Sequence, residues 1–213
     1  MAGKFHHEEL YRGADLAQKL AGTRVTLCGA GALGSNLADT LARQGLRKLR
    51  VIDRDRIEEH NVSTQTYGEG DVGAWKVEVL RSQLFRCTGI EIEAINKELS
   101  ERTAAKFLND SDVVLEAFDN SASRRLVSEY CHHSKVACLH AGLFADYGEV
   151  IWNECYRVPG DVGPDVCDYP LARNLVLLTV AIAAETLLRS IDSGVRDNWS
   201  ITLRDFAVRA LEG

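Results

Sequence analysis

Several residues and patterns that mark particular protein classes are scarce in this sequence. The 213 residues include only 3 prolines, and no segment is repeated or of low complexity. The opening residues MAGKFHHEEL are too polar for a secretory signal. The longest apolar run, Leu175 to Ala184, is too short and too close to charges to span a bilayer. We therefore expect no membrane partner and interpret this run as a buried helix.

Cysteine pairs with CxxC spacing are also absent, which excludes zinc ribbons and thioredoxin-type motifs. The six cysteines lie at positions 28, 87, 131, 138, 155 and 167. Free thiols are typical of a reducing compartment, so we predict a cytoplasmic protein. Lys and Arg form no basic run and the net charge is -6, which argues against a nucleic-acid partner.

The apolar pattern predicts alternating strands and helices. The predicted strands are 24–28, 49–52, 91–95, 112–117, 136–140 and 148–152. The predicted helices are 7–20, 35–44, 76–86, 103–108, 123–132 and the apolar run near 175–184. This alternation predicts a Rossmann-like α/β fold, with a mostly parallel sheet, helices on both faces and a short N-terminal helix. The length fits a single domain over 1–213, with residues 1–22 packing on its core.

A glycine-rich turn follows the first predicted strand and opens a helix. Gly29 permits the turn, Gly31 lets the backbone approach a phosphate, and Gly34 lets the helix pack against the strand. The helix N-terminus then offers free N–H groups to an anion. Asp53, at the end of the second strand, is placed to bind ribose hydroxyls, and Asp55 is a second acidic candidate beside it. This spacing predicts a nucleotide site.

Two further elements end or begin with charged candidates. Lys76 starts a helix behind a loop and can reach a polyphosphate, although a solvated lysine has the same pattern. Asp119 follows an apolar strand, where a carboxylate can hold Mg²⁺ or simply cap a helix. Arg124 and Arg125, in the next helix, are candidates for binding phosphate or carboxylate. His140 ends a predicted strand near the same edge, where a structural role is the commoner one.

Four motifs, in order, carry a family resemblance: GAGALGS, VIDRDRIEEHN, DVGAWKVE and EAFDNSASRR. Together they closely resemble the ThiF/MoeB adenylyltransferases, relatives of the ubiquitin-activating enzymes. The resemblance spans about 12–125 and continues more loosely to about 188. It implies that ATP and Mg²⁺ bind and that a substrate carboxylate attacks the α-phosphate, giving an acyl-adenylate. The usual substrate is a small ubiquitin-like or sulfur-carrier protein with a Gly-terminated tail.

The resemblance also implies roles for individual residues. It assigns Lys76 to phosphate, Asp119 to the metal and Asp53 to ribose, and it maps the family asparagine to Asn61. Arg12 is the candidate for an arginine that reaches the ATP of a partner subunit, which implies a homodimer.

Three departures from the family pattern matter. The usual arginine-glutamine pair reads Thr64-Gln65, so Gln65 is kept and one cation near the triphosphate is missing. Cys155 is the one cysteine left of the usual zinc-binding pairs, so we predict no zinc. Cys167 occupies the place of a catalytic thiol that forms a thioester in some relatives, but Asp165 and Asp168 beside it would raise its pKa.

Two alternatives share part of this evidence. An NAD-dependent oxidoreductase would share the glycine turn, but no Tyr-x-x-x-Lys proton relay is evident. A degenerate, non-catalytic ThiF-like binding module would explain Thr64 and the missing CxxC pairs. The sequence does not name the acceptor or its pathway.

Overall fold

A computed structural model describes residues 2–160 and 170–211. Seven α-helices are present in these ranges: α1 His6–Arg12, α2 Ala14–Gly22, α3 Ala32–Gln44, α4 Lys76–Thr88, α5 Glu101–Leu108, α6 Ser121–Ser134 and α7 Arg173–Ser193. The strands are β1 Arg24–Cys28, β2 Lys48–Ile52, β3 Glu93–Ile95, β4 Val113–Glu116, β5 Ala137–Phe144, β6 Tyr147–Trp152, β7 Asn198–Thr202 and β8 Ala207–Leu211. Two short 3-10 turns, Glu59–Asn61 and Glu69–Asp71, lie between β2 and α4.

The eight strands form one sheet in the order β3-β2-β1-β4-β5-β6-β7-β8. The first five in this order are parallel, and β6, β7 and β8 continue the sheet antiparallel. The chain reverses its direction of growth between β1 and β4, and ligands of such sheets bind in the crevice at that point. The predicted Rossmann-like fold with a mostly parallel sheet is confirmed.

Helices cover both faces of the sheet, as predicted. Side chains from α3, α4 and α7 pack on one face in the larger apolar core, with Leu37, Leu80 and Leu187 among its fully buried members. A smaller core on the other face joins α5 and α6 to the strands through Phe107 and Val127. Strands buried on both faces need apolar residues at nearly every position, which explains the runs RVTLC and VVLE. Thr26 and the terminal Glu116 are the buried exceptions.

Helix α7 is long and apolar enough to cross a membrane by length and composition, but half of its most apolar window is buried inside the protein. It packs against α2, α3 and strands β5, β6 and β7. A core helix passes the same test of length and composition, and these contacts support the prediction of a buried helix.

Several predicted boundaries were wrong, each for a local reason. The predicted helix 7–20 is two helices, because Gly13 adopts φ 83° and ψ 160°, a conformation open mainly to glycine. Helix α3 starts three residues earlier than predicted, inside the glycine turn. Strand β5 continues to Phe144 because it pairs with β6, so His140 lies in mid-strand. Strands β7 and β8 were not predicted.

Candidate functional site

The glycine turn between β1 and α3 is built from close backbone contacts. Gly29 has φ 100°, and a Cβ there would lie 2.8 Å from the Ala117 carbonyl oxygen at the end of β4. A Cβ on Gly34 would lie 2.0 Å from the Gly29 carbonyl oxygen, so glycine alone lets α3 approach the turn. A Cβ on Gly31 would meet nothing within 4 Å. The first turn of α3 therefore faces open space, where a helix N-terminus can bind an anion.

Asp53 ties the ends of β1 and β2 together. Its Oδ2 accepts a hydrogen bond from the Ala30 N–H at 2.7 Å, and its Oδ1 accepts one from the Asp55 N–H at 2.7 Å. The side chain is buried, and burial raises the pKa of Asp53 although Lys76 and these two N–H groups act in the opposite direction. The carboxylate thus orders the turn itself, beside the place where ribose was predicted.

Lys76 is buried at the first position of α4, so the alternative that it is a solvated lysine is wrong. Its Nζ lies 3.2 Å from Asp55 Oδ2, and its N–H donates to the Asp55 carbonyl. Because the Asp55 side chain is more than half exposed, this ion pair is screened and worth little. An incoming phosphate could replace Asp55 as the partner of Lys76 at small cost.

The segment after the first 3-10 turn packs on the first turn of α3. Asn61 is buried, and its Oδ1 accepts from the Glu58 N–H, so in this structure it shapes the turn. Asn36 Nδ2 donates to the Thr64 carbonyl at 2.9 Å, which seats the segment on α3. Gln65 Oε1 is buried with no hydrogen-bond partner in the described part of the chain. A buried, unpaired amide oxygen is uncommon, and it marks Gln65 as a candidate contact for a ligand.

A cation does flank Thr64, where the family arginine is missing. Arg173, the first residue of α7, donates from one guanidinium nitrogen to the Ser63 and Gln65 carbonyls, both at 3.4 Å. Sequence reasoning missed Arg173, since it lies more than a hundred positions from the motif it borders.

Asp119 is exposed at the carboxyl end of β4, one residue beyond the peptide that contacts Gly29. Its one hydrogen bond within 2–160 and 170–211 is a long one, 3.4 Å from Asn120 Nδ2 to its Oδ1. The helix cap is Asn120, whose Oδ1 accepts from the Ser123 N–H, so Asp119 is not the capping residue. Its carboxylate is therefore available to a ligand.

The two adjacent arginines of α6 behave differently. Arg124 turns inward, and its Nε donates to the Phe118 carbonyl at 2.8 Å, whereas Arg125 is exposed. Burial alone would lower the pKa of Arg124, but Glu116, Tyr156 and Glu149 outweigh it and raise the pKa. Arg124 thus keeps its positive charge beside the end of β4.

Arg12 lies away from this edge and is engaged within its own chain. It makes two hydrogen bonds to the Glu185 carboxylate of α7, at 2.8 and 3.2 Å, and one to Glu8 at 2.6 Å. Its assigned role at a partner's ATP stays a prediction. Cys167 lies outside the described residues, and its thioester role also stays a prediction.

No group of three or more His, Cys, Asp or Glu side chains with metal-binding geometry occurs in the described ranges. A magnesium ion at Asp119 would therefore take its other ligands from water and phosphate oxygens. This ligand set is the one Mg²⁺ prefers, since it keeps several waters and takes one or two protein carboxylates. The residues present fit such an ion.

Comparison with known proteins identifies the family. The model of the ThiF family matches residues 7–187, which is most of the sequence. The chain belongs to the ThiF family. The molybdopterin-synthase adenylyltransferase of Escherichia coli is 28% identical over 164 residues, covering 72% of this chain and 66% of that protein. The SAMP-activating enzyme E1 of Haloferax volcanii is 27% identical over 145 residues, covering 65% of this chain and 54% of that protein.

The similarity to larger proteins covers only part of them. The adenylyltransferase and sulfurtransferase MOCS3 of Anopheles gambiae is 36% identical over 115 residues, which cover 53% of this chain and 26% of that protein. Among solved structures, E. coli MccB with ATP superimposes with a TM-score of 0.81 at 20% identity, covering 100% of this chain and 72% of MccB. This likeness supports the fold, and the named relatives are adenylyltransferases of the ThiF/MoeB type.

Proposed function

We propose that the chain is a single adenylation domain that binds ATP at the glycine turn and adenylates the terminal carboxylate of a small protein or peptide. The contact between Gly29 and the Ala117 peptide carries this proposal, because it brings the predicted phosphate turn next to the predicted metal carboxylate. Relatives named as adenylyltransferases and the MccB structure with ATP support the use of ATP.

The residues of the turn divide the work of holding the nucleotide. The open first turn of α3 beside Gly31 offers backbone N–H groups to the phosphates. Lys76 and Arg173 supply positive charge from two sides, and Gln65 Oε1 accepts a hydrogen bond from the ligand. Arg173 stands in for the missing family arginine. Positioning and charge neutralisation of this kind supply most of the acceleration in phosphoryl chemistry.

The substrate carboxylate attacks the α-phosphorus, and the bond to the pyrophosphate oxygen breaks. Asp119 would hold a Mg²⁺ ion, which would supply neutralisation of the negative charge on the phosphates. Arg124, fixed against the Phe118 carbonyl, keeps a second positive charge at the same edge of the sheet.

The acceptor class is inferred from the relatives. Their names include enzymes acting on SAMP and on the sulfur carrier ThiS, and MccB has been solved with the MccA peptide. We infer an acceptor that is a small ubiquitin-like or sulfur-carrier protein, or a peptide, with a Gly-terminated tail.

ATP–pyrophosphate exchange tests this function directly. With Mg²⁺ and a panel of Gly-terminated ubiquitin-like proteins and peptides, we expect at least one acceptor to promote incorporation of labelled pyrophosphate into ATP. The same acceptors ending in a carboxamide serve as the control, since they offer no carboxylate. Tight ATP binding by calorimetry with no exchange for any acceptor would contradict the proposal and favour the non-catalytic module, whereas tight NAD binding would favour the oxidoreductase.

We also propose a homodimer. Leu10 and Tyr11, next to Arg12, and Leu177 and Leu178 of α7 are large apolar side chains left exposed. Leu178 lies on the same face of α7 as Glu185, the partner of Arg12, two turns away along the helix. Sedimentation velocity should give twice the monomer mass for the wild-type chain. Leu178→Asp should give a monomer and Val208→Asp, an exposed control on β8, should stay dimeric; a monomeric wild type would refute the dimer.

A further inference from the structure

Charged side chains hold both backbone polar groups of Phe118, the residue immediately before Asp119. The Phe118 N–H donates to Glu116 Oε1 at 2.6 Å, and Arg124 Nε donates to the Phe118 carbonyl oxygen at 2.8 Å. Hydrogen bonds to ionised groups are shorter and about twice as strong as neutral ones. The backbone that carries the Asp119 carboxylate is therefore fixed more firmly than an ordinary turn after a strand.

Glu116 is itself held by a histidine that the adenylation chemistry does not use. His140 Nδ1 lies 3.0 Å from Glu116 Oε2, and His140 Nε2 lies 2.7 Å from Asn153 Oδ1. The Asn153 amide is oriented by its Nδ2, which donates to the Ser128 carbonyl, so its oxygen faces the imidazole. Both ring nitrogens thus face oxygen atoms of polar side chains.

A tyrosine closes the arrangement into a ring. The Tyr156 ring stacks on His140 with centroids 3.7 Å apart and planes 11° apart, and its hydroxyl accepts from Arg124 at 3.1 Å. Glu116, His140 and Tyr156 are each less than 5% exposed. We name these three residues and Arg124 the Phe118 clamp. Its contacts run from the Phe118 N–H through four side chains back to the Phe118 carbonyl.

Stability alone gives a poor reason for this clamp. Desolvating a carboxylate, an imidazole and a guanidinium is costly, and apolar side chains of similar volume are often neutral or stabilising in place of a buried ion pair. Glu116 is aligned with Cys28 in β1 and His140 in β5, and neighbouring residues on this sheet face, Cys28, Val114 and Cys138, are small or apolar. The charged side chains converge on the backbone of one residue, Phe118, next to the residue whose orientation matters most for the proposed reaction.

We propose that Glu116 and His140 are positioning residues that, through the Phe118 peptide, hold the Asp119 carboxylate in the orientation in which it binds Mg²⁺ with ATP. This role rests on the proposed adenylation function. Neither side chain touches the nucleotide. Loss of the clamp keeps the Asp119 side chain in the protein but allows its backbone to shift. Misplacement of a catalytic group by about 1 Å can lower the reaction rate on the order of 100-fold.

The test compares Glu116→Met, which removes the acceptor for the Phe118 N–H, with Glu116→Gln, which can still accept from it and donate to His140. Glu116→Met should raise the Mg²⁺ concentration for half-maximal pyrophosphate exchange about tenfold or more, and Glu116→Gln by less than about threefold. Thr26→Val is the matched control, because this residue of β1 makes a buried hydrogen bond to Ser111, which lies before the start of β4, whereas Phe118 follows the end of that strand. It should leave the Mg²⁺ requirement unchanged at a similar loss of stability.

Two measurements do not depend on activity. Hydrogen exchange of the Phe118 amide should be slow in the wild type and in Glu116→Gln but fast in Glu116→Met. Calorimetry should show that ATP binding without Mg²⁺ is equal in all of them. Should Glu116→Met fail to fold, Tyr156→Phe, which keeps the stacked ring and loses the contact with Arg124, decides the matter by raising the Mg²⁺ requirement about threefold.

Two failures are distinguishable. If the wild type shows no exchange with any acceptor, the proposed adenylation function is rejected. If the wild type is active and Glu116→Met has the Mg²⁺ requirement of Thr26→Val, the positioning role alone is rejected, and the clamp is a purely structural network.

Discussion

Asp119→Ala is expected to lower the rate of pyrophosphate exchange about 1,000-fold at saturating ATP while leaving the melting temperature almost unchanged. A metal at a transferring phosphate contributes several kcal/mol of charge stabilisation, and this variant removes its protein ligand. The stability effect should be small, within about 0.5 kcal/mol, since the side chain is exposed and makes one long contact, with Asn120, among the described residues.

The control for this prediction is Glu129→Ala, which removes an exposed carboxylate further along α6. It should keep full exchange activity. Exchange is measured with labelled pyrophosphate over a range of Mg²⁺ concentrations, and melting is followed by calorimetry. If Asp119→Ala retains activity within a few-fold of the wild type, Asp119 holds no catalytic metal and the proposed arrangement of the site is wrong.

The second large effect concerns two glycines of one turn: substitution of Gly34 should lower stability, whereas substitution of Gly31 should lower ATP affinity. Gly34→Ala would place a Cβ 2.0 Å from the Gly29 carbonyl oxygen, and backbone atoms on both sides would have to move. We expect a loss of about 3 kcal/mol or more, which for a chain of this size lowers Tm by roughly 6–12 °C. Chemical denaturation and calorimetry measure both quantities.

Gly31→Ala is the matched partner of that variant. Its φ of -79° is negative and the added Cβ meets nothing within 4 Å, so Tm should fall far less than in Gly34→Ala. The methyl group would instead occupy the space where we place the phosphates, and ATP affinity should fall at least about tenfold, or 1.4 kcal/mol. If a folded Gly31→Ala protein binds ATP as tightly as the wild type, the phosphates do not bind at the first turn of α3.

The fold was predictable where local sequence and tertiary packing agree. Strand β1 begins and ends at the predicted residues, because four of its five residues are buried and Gly29, with φ 100°, follows directly after it. Strand β8 escaped prediction because it lies at the edge of the sheet with its central residues exposed, so AVRAL does not alternate between apolar and polar residues. Its assignment depends on pairing with β7.

The residues of the candidate site that belong to a sequence motif were predictable. The residues whose contacts depend on pairing between distant strands were not. The turn glycines, Asp53 and Lys76 stand at fixed offsets from strand ends, and the structure places them at one edge of the sheet. Glu116 lay unremarked inside the predicted strand 112–117, because its partner His140 is 24 positions away. The burial of both side chains follows only from the parallel pairing of β4 with β5.

The strand order has a consequence for how the chain acquires its activity. The glycine turn meets the end of β4, and Arg24 and Asp112, which join the starts of these two adjacent strands, are 88 positions apart. Contacts between such distant segments have a large entropic cost of loop closure, so they form late in folding. During synthesis, a nascent chain that has exposed only its first three strands has no partner for Gly29. Nucleotide affinity should therefore appear only after β4 has left the ribosome, which would make it a reporter of completed folding.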